Sequence, residues 1–258
     1  MSAQNQQIYS TYGHYSISKN LELNLPKTQI LIEKKENRFS YYRKNSEGQE
    51  LQKSIPGKKD PLQIELAPIL PLNLPSKKTN DLMFLRLKES LFIEKNSTAY
   101  IELEFPIEIG VFLLNSDNTR DFFDCFTCEP MHSRFALYGT PENGSLCMYG
   151  KVAQLGDSEK PEPYVFAKIK ATISNPLDEG ASIGKLVFPI GHHEIYYLEN
   201  TSDAHIDDID AKIKKELAGK IIEIQHVDLA KKEKNWNLTL RLKPKWMKEV
   251  YIMDKGFD

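Results

Sequence analysis

Cys125-Phe126-Thr127-Cys128 sets two thiols on either side of a two-residue spacer, with His132 shortly after and Cys147 further along the chain. Thiolates and an imidazole are the soft donors of tetrahedral zinc sites, and this spacer lets both sulfurs turn inward. Cys125, Cys128, His132 and Cys147 are therefore the candidate metal ligands. No second pair of this kind follows, and Phe122, Phe123 and Phe126 surround the first with apolar bulk. A free cysteine in such company packs as a small hydrophobe. The sequence thus favours no cofactor, with zinc as the alternative. A redox-active pair would need a thioredoxin-like βαβ setting, which the pattern does not supply.

A second group gathers oxygen and nitrogen donors: His192-His193-Glu194, followed by Asp203, His205, Asp207, Asp208 and Asp210. Metal hydrolases use such sets to acidify a water molecule. The plainer account is local. Aspartates suit the first turn of a helix, where the dipole favours negative charge, and adjacent histidines in a strand point to opposite faces. Gly-rich phosphate loops, nucleophile elbows and paired catalytic His and Ser motifs do not occur. The sequence accordingly assigns no catalytic residue, and the enzyme reading loses ground.

Between His226 and Lys248 seven basic residues face two acidic ones, a local excess of five that the overall charge of −2 conceals. Lys231, Lys232, Lys234, Arg241, Lys243 and Lys245 lie there, and so do both tryptophans, Trp236 and Trp246. Interleaved lysines and aromatics can follow phosphates and stack on bases, so these eight residues form the candidate binding set. The competing account is an exposed hairpin whose lysines discourage edge-to-edge association.

The elements that must position these groups are mostly strands. From Tyr100 to Val111 the apolar residues Ile101, Leu103, Phe105, Ile107, Ile109 and Val111 alternate with Glu102, Glu104 and Glu108. Parity predicts a strand with those glutamates in water, carrying a break or lying at an edge because Pro106 cannot donate to a ladder. Val165 to Ile173 alternates likewise, with Lys168, Lys170 and Thr172 facing away. Thr140-Pro141-Glu142-Asn143-Gly144 predicts a hairpin joining Phe135–Tyr138 to Leu146–Tyr149, with left-handed geometry at the Asn-Gly pair. Gln29–Ile32 pairs with Arg38–Tyr42. Segment 43–81 is richer in Pro, Lys and Ser, and Leu70–Pro75 reads as extended chain rather than strand.

One helix is expected near 203–218. Acidic residues fill its first turn, lysines its last, Gly219 stops it, and Ile206, Ile209, Ile213 and Leu217 make its apolar stripe. A hairpin from Ile221 to Leu242 should follow, turning through Lys231–Asn235. The expected fold is mainly β, with two β-sandwich-like units. Residues 1–118 form the first and 119–258 the second, which carries the helix and the C-terminal hairpin.

Several motifs together resemble an archaeal family known only as domain of unknown function 432. They are Tyr12-Gly13-His14-Tyr15, the Pro71–Pro75 passage, Phe105-Pro106-Ile107-Glu108-Ile109-Gly110-Val111, and Leu137-Tyr138-Gly139-Thr140-Pro141-Glu142-Asn143-Gly144-Ser145-Leu146-Cys147. Leu186-Val187-Phe188 and Ile195-Tyr196-Tyr197 extend the likeness toward residue 197, and the last 60 or so residues match least. Some relatives look like soluble appendages to small mechanosensitive channels. The resemblance therefore implies a sensing or regulatory role with a protein partner, such as a membrane channel.

Hydrophobic residues at 40% and charged residues at 27% match a globular core rather than a disordered chain. The opening residues lack the basic start and apolar core of a secretory signal, and the apolar run Phe105–Leu114 is far shorter than the ~20 residues of a spanning helix. Three cysteines do not make a disulfide framework. A cytoplasmic protein without direct membrane insertion follows. Its expected function is that of a non-catalytic binding or regulatory module acting through protein partners. Nucleic-acid binding through the basic hairpin, or zinc binding, is the alternative.

Overall fold

The computed structural model describes residues 9–56, 61–73, 81–117, 119–129, 135–156, 158–216, 219–227 and 235–239. All regular structure in them is β. One antiparallel sheet is a meander of β2 (Asn20–Leu25), β3 (Thr28–Lys35), β4 (Arg38–Asn45) and β5 (Glu50–Pro56). A second is ordered β1 (Gly13–Ile17), β6 (Leu62–Ile69), β9 (Glu108–Leu114), β10 (Arg120–Phe126). A third is ordered β11 (Phe135–Tyr138), β12 (Ser145–Val152), β7 (Leu82–Ile93), β15 (Ala181–Pro189), with β12 and β7 parallel.

The fourth sheet has eight strands. Its main path runs β13 (Gln154–Leu155), β8 (Ser97–Pro106), β14 (Phe166–Asn175), β17 (Ala204–Ile206), β16 (Ile195–Tyr197), β20 (Asn237–Leu238). A branch adds β18 (Asp208–Glu216) and β19 (Gly219–Val227). Strands from both sides of residue 118 share three of the four sheets, through β9 with β10, β7 with β12 and β15, and β8 with β14.

The expected helix near 203–218 is a pair of strands. Ile209, Ala211 and Ile213 are buried while Asp210 and Lys212 are exposed, a period of two rather than 3.6. Ile209 and Ile213 stand four apart, a spacing that suits a helical stripe and one face of a strand equally. The parallel ladder to β14, from Ala171↔Ile209 to Ser174↔Lys212, decides between them. β-branched isoleucines also pack well on a pleated surface. The hairpin is shifted too: β19 pairs back onto β18, from Asp208↔Val227 to Glu216↔Gly219, while β20 pairs with β16.

Glu108 is a further correction. It is 1% exposed, because Pro106 ends β8 and the chain passes into a different sheet, so alternation does not carry across. Glu104 is also buried, its carboxylate accepting from the Ala153 amide at 2.8 Å and from Lys88 at 3.3 Å. Segment 43–81 hides β5 and β6. β6 is buried on both faces along most of its length and therefore shows no alternation. The β11–β12 hairpin forms as expected, although its left-handed residue is Gly139 at φ 116° rather than the Asn-Gly pair.

β14 keeps the expected pattern, with Ala167, Ile169, Ala171 and Ile173 in the core and Lys168, Lys170 and Thr172 on the outer face. β3 and β4 pair as the sequence implied. No helix among the described residues is long and apolar enough to cross a membrane.

Candidate functional site

β14 offers one edge to two successive strands. Lys168 aligns with His205 of β17, and Ala171 through Ser174 align with Ile209 through Lys212 of β18. Between them, at Asp207, the sheet forks: β17 continues to β16 and β18 to β19. A fork interrupts ladder hydrogen bonds, so the polar groups inside it need other partners. Asp207, 1% exposed, supplies them. Its amide donates to the Glu194 carbonyl at 3.0 Å, and its Oδ2 accepts from the Glu194 amide at 2.7 Å. The Nε2 of His226, from β19, lies 3.0 Å from the same oxygen.

His193 fills the crotch of the fork. Its ring packs 5.4 Å from Phe188 and 5.0 Å from His226, centroid to centroid, and neither ring nitrogen makes a hydrogen bond of normal geometry. Burial is the main cause of a pKa drawn down to about 4, and the neighbouring His226 adds to it, outweighing the opposite pull of Asp207. His193 is therefore neutral at pH 7. On the other branch His205 Nε2 stands 3.2 Å from Asp208 Oδ1, with both side chains nearly excluded from solvent.

His205 also lines an open cleft of about 230 Å³. Lys168 and Lys170 reach it from the outer face of β14, Lys160 and Asp203 from two loops, and Trp236 lines it as well. The Trp236 ring meets His205 edge-on at 5.8 Å and is partly exposed. Lys160 Nζ lies 2.7 Å from Asp203 Oδ2, and Lys168 Nζ lies 2.6 Å from Glu102 Oε2. The Lys160 loop is set by Pro161 and Pro163 and pinned by Tyr164. Tyr164 is buried at φ 65°, and its hydroxyl donates to the Ser10 carbonyl. A bulky residue in that conformation is tolerated only where its surroundings hold it.

A family model described as a protein of unknown function, DUF432, matches residues 11–251. The chain belongs to this family. The match runs well past residue 197, where the motif likeness faded. No curated protein and no solved structure matches the chain.

In this DUF432 protein the sequence-predicted sites fare differently. Of the eight basic and aromatic candidates, Trp236 lines the cleft, while Lys231, Lys232, Lys234, Arg241, Lys243, Lys245 and Trp246 lie outside the described residues. The hydrolytic set is divided: His193 and Asp207 meet at the fork, His205 and Asp208 pair beyond it, and Asp203 belongs to the cleft. Asp210 is exposed.

The three thiols have separate surroundings. Burial raises Cys125 to about 12, helped by Glu108 and Asp124, and raises Cys128 to about 12 against the opposing influence of Thr28 and Arg43. Cys147 donates to the Ser145 carbonyl at 3.4 Å. His132 lies outside the described residues. Among the described residues no group of three or more His, Cys, Asp or Glu side chains could hold a metal ion.

Two polar centres escaped the sequence reading. Glu65, wholly buried on β6, accepts from the Tyr197 hydroxyl at 2.8 Å and faces Arg120 Nε at 2.8 Å. His14 Nε2 approaches the same carboxylate at 3.9 Å. Asp124, 6% exposed on β10, accepts from the Tyr41 hydroxyl and from Arg43 Nε, each at 2.8 Å, which ties the β2–β5 meander to the second sheet. A lone glutamate inside Leu62–Ala67 was the available signal for the first centre.

Proposed function

We propose that this protein is a non-catalytic binding or regulatory module of an archaeal cytoplasm that works through a protein partner, with the cleft beside Trp236 as its binding site. The observation that supports this reading is the division of labour around Asp207. Asp207, with Glu194 and His226, holds the fork together, and His193 is sealed from solvent. The open cleft presents three lysines and an indole alongside Asp203 and the buried His205. The family resemblance adds a membrane channel as the kind of partner to be expected.

The test has two arms. The purified chain is assayed for hydrolysis and group transfer, and the tagged chain is cross-linked and recovered from its native host. A stoichiometric partner with no turnover is the expected result. A turnover lost in His193→Gln or Asp208→Asn overturns the reading.

A second reading is nucleic-acid binding through the basic C-terminal segment, favoured by the one described member of that set, Trp236, standing beside three lysines. It requires salt-sensitive binding that weakens when Lys232, Lys243 and Lys245 are made neutral. Equal affinity in that triple variant removes it.

A further inference from the structure

An ammonium held against a carboxylate at the rim of a cleft can exchange that partner for a phosphate oxygen and keep a charge-assisted hydrogen bond throughout. Lys160 and Lys168 are held in this way, by Asp203 and Glu102. Lys170 follows on the same face of β14, opposite Glu102 in the β8 register, so three lysines stand beside the two carboxylates Asp203 and Glu102. Trp236 lines the same cleft, is partly exposed and packs edge-on against His205. An indole is a large, flat apolar surface on which a planar ring stacks irrespective of which base it is.

The volume limits the choice. About 230 Å³ is below the ~300 Å³ at which drug-sized sites begin, so the cleft admits one ring system and leaves charged groups at its lysine rim. The site is also preset. Lys160 comes from the proline-bounded loop anchored by Tyr164, and Lys168 and Lys170 come from a strand paired on both edges. Little ordering entropy is then lost on binding.

We infer that the cleft binds a single nucleotide, its base stacked on Trp236 and its phosphates held by Lys160, Lys168 and Lys170. The inference rests on the reading of the protein as a binding module and names the ligand class of that site.

The full chain carrying Trp246→Phe has Trp236 as its one remaining indole. It is titrated with AMP, ATP, adenosine, inorganic phosphate and a fifteen-nucleotide oligothymidylate, with tryptophan emission and heat recorded together. AMP or ATP should quench the emission and saturate, while adenosine and phosphate bind at least tenfold more weakly. Trp236→Ala should weaken nucleotide binding by roughly 5- to 150-fold, the worth of one stacked base. The Lys168→Gln/Lys170→Gln pair, on the outer face of a strand, should weaken it at least tenfold with an unchanged melting temperature. That pair carries the test if Trp236→Ala does not fold.

No saturable nucleotide binding, variants that bind like the parent, or an oligonucleotide that binds more tightly than AMP would each overturn the inference. The last of these marks a nucleic-acid track instead. Nucleotide binding accompanied by hydrolysis leaves the site standing and removes the non-catalytic reading. A captured partner with no nucleotide bound does the reverse.

Discussion

Arg120 Nε lies 2.8 Å from Glu65 Oε2, joining β10 to a β6 carboxylate that water does not reach. Removing the guanidinium leaves Glu65 buried, among the described residues, with the Tyr197 hydroxyl at 2.8 Å and the more distant His14 Nε2 at 3.9 Å. Arg120→Ala should cost on the order of 3 kcal/mol, the lower end for breaking a buried pair, whereas a Glu65→Met/Arg120→Leu double variant should cost less. Urea unfolding of the three chains compares them. An unshifted midpoint in Arg120→Ala would mean that the pair contributes nothing to stability.

The state of His193 gives the protein a pH dependence with a definite sign. Its folded pKa is about 4 and its unfolded value is near 6.5, so the unfolded chain takes up the proton first. Stability from this group is complete above pH 6.5 and declines as pH falls toward 4, by about 3 kcal/mol in all. His193→Leu should flatten the dependence over that window. Unfolding free energies at pH 7, 5.5 and 4.5 measure it, and parallel curves for parent and variant would refute the assignment.

Cys125 and Cys128, both raised to about 12, should be nearly inert in the folded chain. At pH 8 only ~0.01% of either thiol is ionised, against roughly a quarter of a free cysteine. Alkylation with iodoacetamide, followed by mass spectrometry, should label them in urea and spare them in buffer. Fast labelling of the native protein, or one equivalent of zinc in chelator-free preparations, would contradict this picture.

Ala211 distinguishes a strand from a helix at 208–216. On β18 it is 3% exposed and points inward with Ile209 and Ile213. On a helix bearing Ile206, Ile209 and Ile213 on one stripe, position 211 would face water. Ala211→Asp should therefore cost more than ~3 kcal/mol, because an unpaired charge enters the core. A fully tolerated aspartate would restore the helical reading.

The last example shows what could be read in advance and what could not. β14 was legible because one face is wet, and its lysines mark every second position. β6 was not, because both faces are dry and its apolar residues leave no rhythm. Glu108 was misplaced by counting parity through Pro106, a residue that moves the chain from one sheet into another. Residues 204–216 carried the acid-first, lysine-last charge order of a helix, and only the distant partner β14 reveals them as strands.

The site followed the same rule. His193, His205, Asp207 and Asp208 stood out together in the sequence, but His226 joined them only through the β18–β19 pairing. Arg120 lies just past the expected unit limit at residue 118, with nothing local to connect it to Glu65. Trp236 was singled out for its basic neighbours in sequence, whereas the lysines it faces belong to β14 and the preceding loop.

The fork at Asp207 also governs how the chain reaches its native state. β14 can zip onto β8 as soon as both exist, but its other edge stays open until β17 and β18 arrive in parallel. Pairings that close such long intervening stretches are slow to form, and an uncovered strand edge recruits other chains in the meantime. A ribosome-bound or proteolysed fragment ending near Pro189 would display that edge, so self-association should be a hazard of the unfinished polypeptide far more than of the finished one.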